Sequence, residues 1–243
     1  MSNKDYVLNK ILETQASDEP WRHLVIKDFI PQSLFSGIKE ETSKYMDDEK
    51  LKEIHKKPKG PKGRRAFANL FNKSVDFKPN KKKNPNLHEY FEILNDSEVE
   101  RAIKKKVNLP NHHEETLSVD MWSAFDIHIS GFVYGVHADH GAKVHTLVHY
   151  FADDGDDEEL GTSLYSPNKK NTKLDTLKDA IKRPPYIPNT ALLFSPCYEK
   201  GFITNHAMYH LSEKTRYRRT IQTFWLGEKQ NWLRKLKTAT RLN

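Results

Sequence analysis

His137 and Asp139 stand two residues apart in the run Gly131-Phe-Val-Tyr-Gly-Val-His-Ala-Asp-His-Gly141. On an extended strand, side chains at i and i+2 point to the same face. The pair can therefore offer an imidazole nitrogen and a carboxylate oxygen to one point. Nitrogen plus oxygen with no thiolate suits a divalent iron better than a structural zinc. A chain with 12 histidines and 33 acidic residues contains such pairs by chance, so the reading needs a second histidine. It must come from a distant strand, so that one face of the ion stays open. The run from Phe202 to Trp225 supplies two candidates, His206 and His210. About a dozen residues after His206, Arg218-Arg-Thr220 opens another apolar stretch.

The sequence here resembles the 2-oxoglutarate- and Fe(II)-dependent dioxygenases, in particular their prolyl-hydroxylase-like branch. The residues that carry the resemblance are His137-Ala-Asp139, Thr146-Leu-Val-His-Tyr150, Gly161-Thr-Ser-Leu-Tyr165, Asn189-Thr-Ala-Leu-Leu-Phe194, His206 and Arg218-Arg-Thr220. They follow the family's order over roughly residues 120 to 227. The resemblance implies His137, Asp139 and one further histidine as iron ligands, and the family's spacing to the arginine favours His206 over His210. It also implies that Arg218 holds the distal carboxylate of 2-oxoglutarate, since a guanidinium fork binds a carboxylate through two parallel bonds. Thr220, on the same strand face, and Tyr150 are further donors to that group. The alternative for Tyr150 is a core tyrosine. The implied cofactors are Fe(II), 2-oxoglutarate as cosubstrate and O2, with ascorbate as an addition. The implied reaction is oxidative decarboxylation to succinate and CO2, coupled to hydroxylation of a substrate. Related enzymes that halogenate have a small residue where this chain has Asp139, so the carboxylate argues against chloride at the iron.

Strand alternation sorts the neighbours of these residues. Arg216, Arg218, Thr220, Gln222 and Phe224 share one face, and Arg219, Ile221 and Trp225 the other. A strand that turns Thr146, Val148 and Tyr150 inward turns His145 and His149 outward, toward helices or solvent.

These residues need a scaffold. From about residue 117 short apolar runs alternate with Gly, Pro, Asn and Asp clusters, which predicts strands near 118–129, 132–137, 143–151, 161–165, 190–194, 203–208 and 218–226. The acidic run 153–159 reads as a hairpin tip, and residues 173–182 as a helical turn or two. Upstream, residues 23–27 read as a strand, and a helix starts after Pro31 with Leu34, Ile38 and Tyr45 on its apolar face. Residues 87–107 give one or two more helices, ended by Pro110. The expectation is a mainly β, α+β protein: a double-stranded β-helix, or cupin-like jelly roll, backed by N-terminal helices. It divides into residues 1–115, the oxygenase core at 116–228 and a basic tail at 229–243.

Composition narrows the setting. The chain has 243 residues, a net charge of +7 and one cysteine, Cys197. That excludes a disulfide framework and a cysteine-built zinc site, and Cys197 reads as a small buried residue. No run approaches ~18 apolar residues and the amino terminus lacks a signal-peptide pattern, so a soluble, cytoplasmic protein is expected. The basic, Pro/Gly-punctuated stretches 56–65 and 78–83 read as loops. They offer contacts to nucleic acid, but their aromatics do not alternate with the basic residues as a stacking platform would. A protein or peptide side chain or a small metabolite is the expected substrate, with nucleic acid or a non-catalytic jelly-roll module as alternatives.

Overall fold

The computed structural model describes residues 1–46, 65–73, 78–108, 118–139, 143–167, 177–199 and 202–227. Among the described residues, four α-helices lie within the first 107 positions. In α1 (Asn3–Glu13), Ser2 and Asp5 form a reciprocal capping box, and Val7 and Ile11, one turn apart, supply the buried stripe. Helix α2 (Gln32–Ser43) buries Leu34, Phe35, Ile38 and Thr42 behind an uncapped Pro31. Glu41 of α2 accepts hydrogen bonds from the backbone N–H groups of Asn86 and Leu87, at 2.9 and 2.8 Å. One helix thereby caps the free donors of the next, α3 (Pro85–Leu94). Asp96 caps α4 (Ser97–Val107), whose acidic first turn and Lys104–Lys106 last turn complement the helix dipole.

Strand β1 (His23–Ile26) lies between α1 and α2, and β2 (Arg65–Asn72) between α2 and α3. The remaining strands are β3 (Asp120–Ile129), β4 (Phe132–His137), β5 (Lys143–Tyr150), β6 (Ser163–Leu164), β7 (Thr190–Phe194), β8 (Tyr198–Glu199), β9 (Phe202–Ile203), β10 (His206–His210) and β11 (Tyr217–Leu226). The major sheet is antiparallel, in the order β1-β7-β5-β11-β3-β2, and a minor sheet, β4-β10-β6, faces it. The mostly antiparallel jelly roll with helices against one face agrees with the sequence expectation.

The major sheet divides its side chains by parity. Leu147, Ile221, Trp225, Phe125 and Leu193 share a core with Val7, Phe35, Phe91 and Ile103 of the helices. Val148, Tyr150, Leu192 and Phe194 look inward and join Trp21, Tyr186, Leu160 and Leu164. His149 is on the helix side, as alternation predicts, and fully buried there. Its Nε2–H donates to Asn189 Oδ1 and its Nδ1 accepts from the Tyr90 hydroxyl, both at 3.2 Å. Asn189, in the left-handed region at φ 54°, also ties its amide to the backbone of Ile30. His145 is also buried on that side, with Nδ1 2.9 Å from Ser195 Oγ.

Three sequence expectations are corrected. The acidic run is not a hairpin tip, because β5 and β6 belong to different sheets. Residues 153–160 are instead a crossing, with Asp153 and Asp156 ion-paired to Arg219 and a 3-10 turn at Glu158–Leu160. The single strand expected at 203–208 is two, β9 and β10, separated by Thr204 and Asn205. Of the helical turn or two expected at 173–182, the described part holds one, a 3-10 turn at Leu177–Asp179. Arg65, placed in a basic loop, begins β2. The rest of that loop and the tail from residue 229 lie outside the described residues. Among the described residues no helix is long and apolar enough to cross a membrane.

Burial holds the His149 pKa down to about 3, well below the ~6.5 of an unfolded histidine. Between those values the unfolded state binds the extra proton, so stability rises with pH and is lost as pH falls below ~6.5, by up to ~1.4 kcal/mol per pH unit. His149→Phe should cost stability at pH 7, where it strands Tyr90 and Asn189. That cost should shrink by ~2 kcal/mol at pH 5, where the wild type has given up its advantage. Urea unfolding at the two pH values measures this, and a cost that is constant or grows in acid refutes it.

Candidate metal centre

The minor sheet brings the two histidines together. His137 ends β4, His206 begins β10, and the antiparallel register sets them directly opposite each other, with ring centroids 4.3 Å apart. Each ring is held from behind by a backbone carbonyl. His137 Nδ1 is 2.8 Å from Gly135 O, and His206 Nδ1 is 3.2 Å from Thr204 O. A carbonyl only accepts, so each Nδ1 carries the proton and each Nε2 keeps its lone pair.

Asp139 lies just beyond the end of β4 and is only 6% exposed. Its Oδ2 accepts a 2.8 Å hydrogen bond from Thr146 on the major sheet, and its Oδ1 is paired with the Lys143 ammonium. His206 Nε2 is 3.9 Å from Asp139 Oδ2. The offered atoms of His137, Asp139 and His206 all lie within 4.8 Å of one another. Ligands ~2.1 Å from a shared ion lie about 3 Å apart, so small side-chain rotations close the set. Two imidazoles and one carboxylate fit a divalent first-row metal and leave room for further ligands.

Electrostatics agree with the geometry. Burial, then the neighbouring His206, depresses the His137 pKa to about 3, and burial lowers that of His206 as well. Burial alone would raise the Asp139 pKa, but His206 and Lys143 together hold it at about 2. Near neutral pH the site presents two neutral nitrogens and one carboxylate, the protonation a metal needs.

A cavity of about 200 Å³ runs from this cluster between the sheets, and Arg218 shares its wall. Arg218 is 1% exposed. Its Nε donates to Leu160 O at 2.6 Å, and its Nη1 and Nη2 lie 3.3 Å from His128 Nδ1 and Thr162 Oγ1. Tyr150 and Thr220 are fully buried beside it and do not line the cavity. The Tyr150 hydroxyl accepts from Thr162 N at 3.0 Å, and its ring lies 5.4 Å from the Arg218 guanidinium. Thr220 Oγ1 is buried with no hydrogen-bond partner among the described residues, an orphaned donor two residues from the guanidinium. Arg219 takes the opposite face and pairs with Asp153 and Asp156. Arg216 is exposed and precedes β11.

The alternative ligand His210 is fully buried, and both ring nitrogens face backbone oxygens, His128 O at 3.0 Å and Thr215 O at 2.7 Å. Neither is available to an ion. Sequence reasoning missed Thr146 and Lys143 as partners of Asp139 and Thr162 as a partner of Arg218. It gave no role to His128. The inward parity of His128 on β3, level with Arg218 in the strand register, was a usable signal. Lys78 and, on the turn that follows, Lys81–Lys83 are exposed and do not line the cavity.

No family model matches the sequence, and no curated protein matches it. Solved structures do share its architecture. A prolyl-4-hydroxylase from Pseudomonas putida is 11% identical, with 93% of this chain and 99% of that chain covered and a TM-score of 0.56. A prolyl 4-hydroxylase from Phytophthora capsici is 13% identical, with coverages of 95% and 68% and a TM-score of 0.52. The dioxygenase for auxin oxidation 1 of Arabidopsis thaliana, solved with 2-oxoglutarate, is 14% identical, with coverages of 94% and 90% and a TM-score of 0.53. At these identities the likeness is one of fold, and the fold is that of the prolyl-hydroxylase-like 2-oxoglutarate oxygenases.

Titration with Fe(II) or Mn(II) under anaerobic conditions separates the ligands from their neighbours. His137→Ala, Asp139→Ala and His206→Ala should each abolish tight binding. Thr146→Val, which frees Asp139 Oδ2, should weaken it by the ~10–100-fold typical of a lost outer partner. His210→Ala should lower thermal stability and leave metal affinity unchanged. Loss of binding in His210→Ala alone would overturn the ligand assignment.

Proposed function

We propose that this protein is an Fe(II)- and 2-oxoglutarate-dependent dioxygenase that hydroxylates an organic substrate, a protein or peptide side chain or a small metabolite. The observation that carries the reading is one cavity walled at once by a two-histidine, one-carboxylate cluster and by a buried arginine. Either feature alone has ordinary explanations, whereas their shared cavity matches a metal-chelating acid with a second carboxylate at its far end.

In this reading His137, Asp139 and His206 hold the iron, and the Thr146 hydroxyl orients the carboxylate. Arg218 receives the distal carboxylate of 2-oxoglutarate. Leu160 O, Thr162 and His128 aim its guanidinium, and the partnerless Thr220 hydroxyl lies beside it, outside the cavity lining. Tyr150 acts on this group through Thr162 and through its ring beside the guanidinium. Phe132, Val148 and Met208 give the cavity an apolar lining that limits water around the reacting atoms. When bound, iron and 2-oxoglutarate supply the oxidising chemistry: O2 is consumed, the cosubstrate leaves as succinate and CO2, and one oxygen atom enters a substrate C–H bond. The same chemistry on nucleic acid is the runner-up, favoured by the exposed lysines at 78 and 81–83.

Fe(II)-dependent release of succinate from 2-oxoglutarate, assayed against peptide, nucleotide and metabolite pools, tests the reading. No iron-dependent release with any pool would leave a binding module in its place. Arg218→Ala should weaken 2-oxoglutarate by ~2–5 kcal/mol, the cost of breaking a buried charge pair, with iron affinity little changed. Arg218→Lys should recover only part, because an ammonium lacks the bidentate fork. Arg219→Ala should leave 2-oxoglutarate affinity intact, and the reverse result would move the role to Arg219.

A further inference from the structure

Three residues of β11 line the cavity: Arg218, Gln222 and Phe224. The strand register sets Gln222 beside Val148 of β5 and Ala124 of β3, neither of which has a polar side chain. Phe224 is level with Thr146, the residue that bonds Asp139. At ~3.3 Å per residue, Gln222 stands about 13 Å along the strand from Arg218 and about 7 Å from the level of Thr146. It is therefore on the wall between the arginine and the anchor of the metal cluster. Gln222 is half-buried, and its carboxamide has no hydrogen-bond partner among the described residues.

The acidic and strongly basic side chains of the described lining are Asp139, Lys143 and Arg218. Asp139 and Lys143 are paired with each other, and in the dioxygenase reading Arg218 takes the cosubstrate. A charged substrate group would meet no unmatched opposite charge here, and desolvating it would be costly. An uncharged occupant avoids that cost but must still answer Gln222. When the cavity fills, the carboxamide loses water on its open side, beside strand neighbours that cannot replace it. A carboxamide presents an N–H donor and a carbonyl acceptor side by side. A carboxylate satisfies only the donor and sets its own charge against the carbonyl oxygen. A trans peptide unit points its N–H and C=O to opposite sides, so it makes one of the two bonds. A primary carboxamide makes both, as a closed pair.

We infer that Gln222 is a specificity-determining residue of this cavity and that the substrate presents to it an uncharged primary carboxamide. This deepens the dioxygenase reading and rests on it. A small amide and the side-chain carboxamide of a peptide share this chemistry, and the two are separable by experiment. A nucleobase edge can also pair with a glutamine through two bonds, and it enters as a competing outcome.

The test uses the full chain loaded with Fe(II) and saturating 2-oxoglutarate without oxygen, with binding followed by calorimetry. One series compares phenylacetamide with phenylacetate and phenylacetone. The other compares end-capped Ala-Gln-Ala with Ala-Glu-Ala and Ala-Met-Ala. In at least one series the amide should bind about tenfold or more tighter than both of its analogues, the worth of two added hydrogen bonds. The series that discriminates identifies the source. Gln222→Met, which keeps the length of the side chain and removes its hydrogen bonding, should erase the preference and leave 2-oxoglutarate affinity unchanged. If that variant does not fold, Gln222→Ala takes its place. Equal or tighter binding of the acid or the apolar analogue, a preference that survives the substitution, or no amide binding by ~10 mM overturns the inference. Binding of adenosine without binding of either amide overturns it in favour of a nucleobase. A folded Gln222→Met that loses 2-oxoglutarate overturns it in favour of a role toward the cosubstrate. The same cells report whether 2-oxoglutarate binds with iron in the unaltered protein. If it does not, the parent reading fails as well, whereas normal 2-oxoglutarate binding without amide preference sinks only this proposal.

Discussion

A carboxylate buried between two sheets is the constraint around which this molecule is arranged. Asp139 leaves the end of β4 in the minor sheet and is held by Thr146 from the major sheet. An ionised group cannot stay in such a place without compensating charge or hydrogen bonds. Thr146, Lys143 and the paired imidazoles of His137 and His206 supply both. A structural ion pair would need fewer partners than these. The surplus of inward-facing lone pairs is what separates a metal-ready cluster from a satisfied core acid.

The sheet architecture lets such a cluster exist without loss of stability. Parity along β3, β5, β7 and β11 separates a dry face, packed by α1 to α4, from a face lined with His128, Thr146, Arg218 and Gln222. Most of the apolar burial is therefore on the side away from the chemistry, and the polar wall is free to carry groups that a core would reject. Close packing also reaches the segment behind the arginine. Gly161 lies between Leu160 and Thr162, both partners of Arg218, and a Cβ there would stand 1.6 Å from Pro184 O. Only glycine lets that segment pass so close to the neighbouring backbone.

Much of this was legible in the residues. The strands at 132–137 and 190–194 agree with the structure to the residue, because alternation and turn residues bound them tightly. The inward face of Arg218 and the outward faces of Arg219, His145 and His149 follow from a period of two. His206 was separable from His210 only by spacing. The physical reason, two carbonyls closing on His210, is tertiary. Helix α1 escaped notice because its buried stripe is just Val7 and Ile11. Strand β2 did so because a basic, glycine-punctuated stretch runs into it and its order comes from pairing with β3. Thr146 and Lys143 were invisible for a different reason: their bonds to Asp139 cross from one sheet to a loop of the other, and no local pattern encodes that.

The order of the major sheet has a consequence for anyone who would shorten the chain. Its two outermost strands, β1 and β2, come from the first third of the sequence, and they flank β7 and β3. A fragment beginning after α4 would keep every candidate ligand yet bare both flanks, with their rows of unpaired N–H and C=O groups. Such flanks are templates for intermolecular strand addition, and the apolar face left by the missing helices would lie alongside them. The fragment's fate would be self-association, so the segment up to the end of α4 is the sheet's own guard against its neighbours.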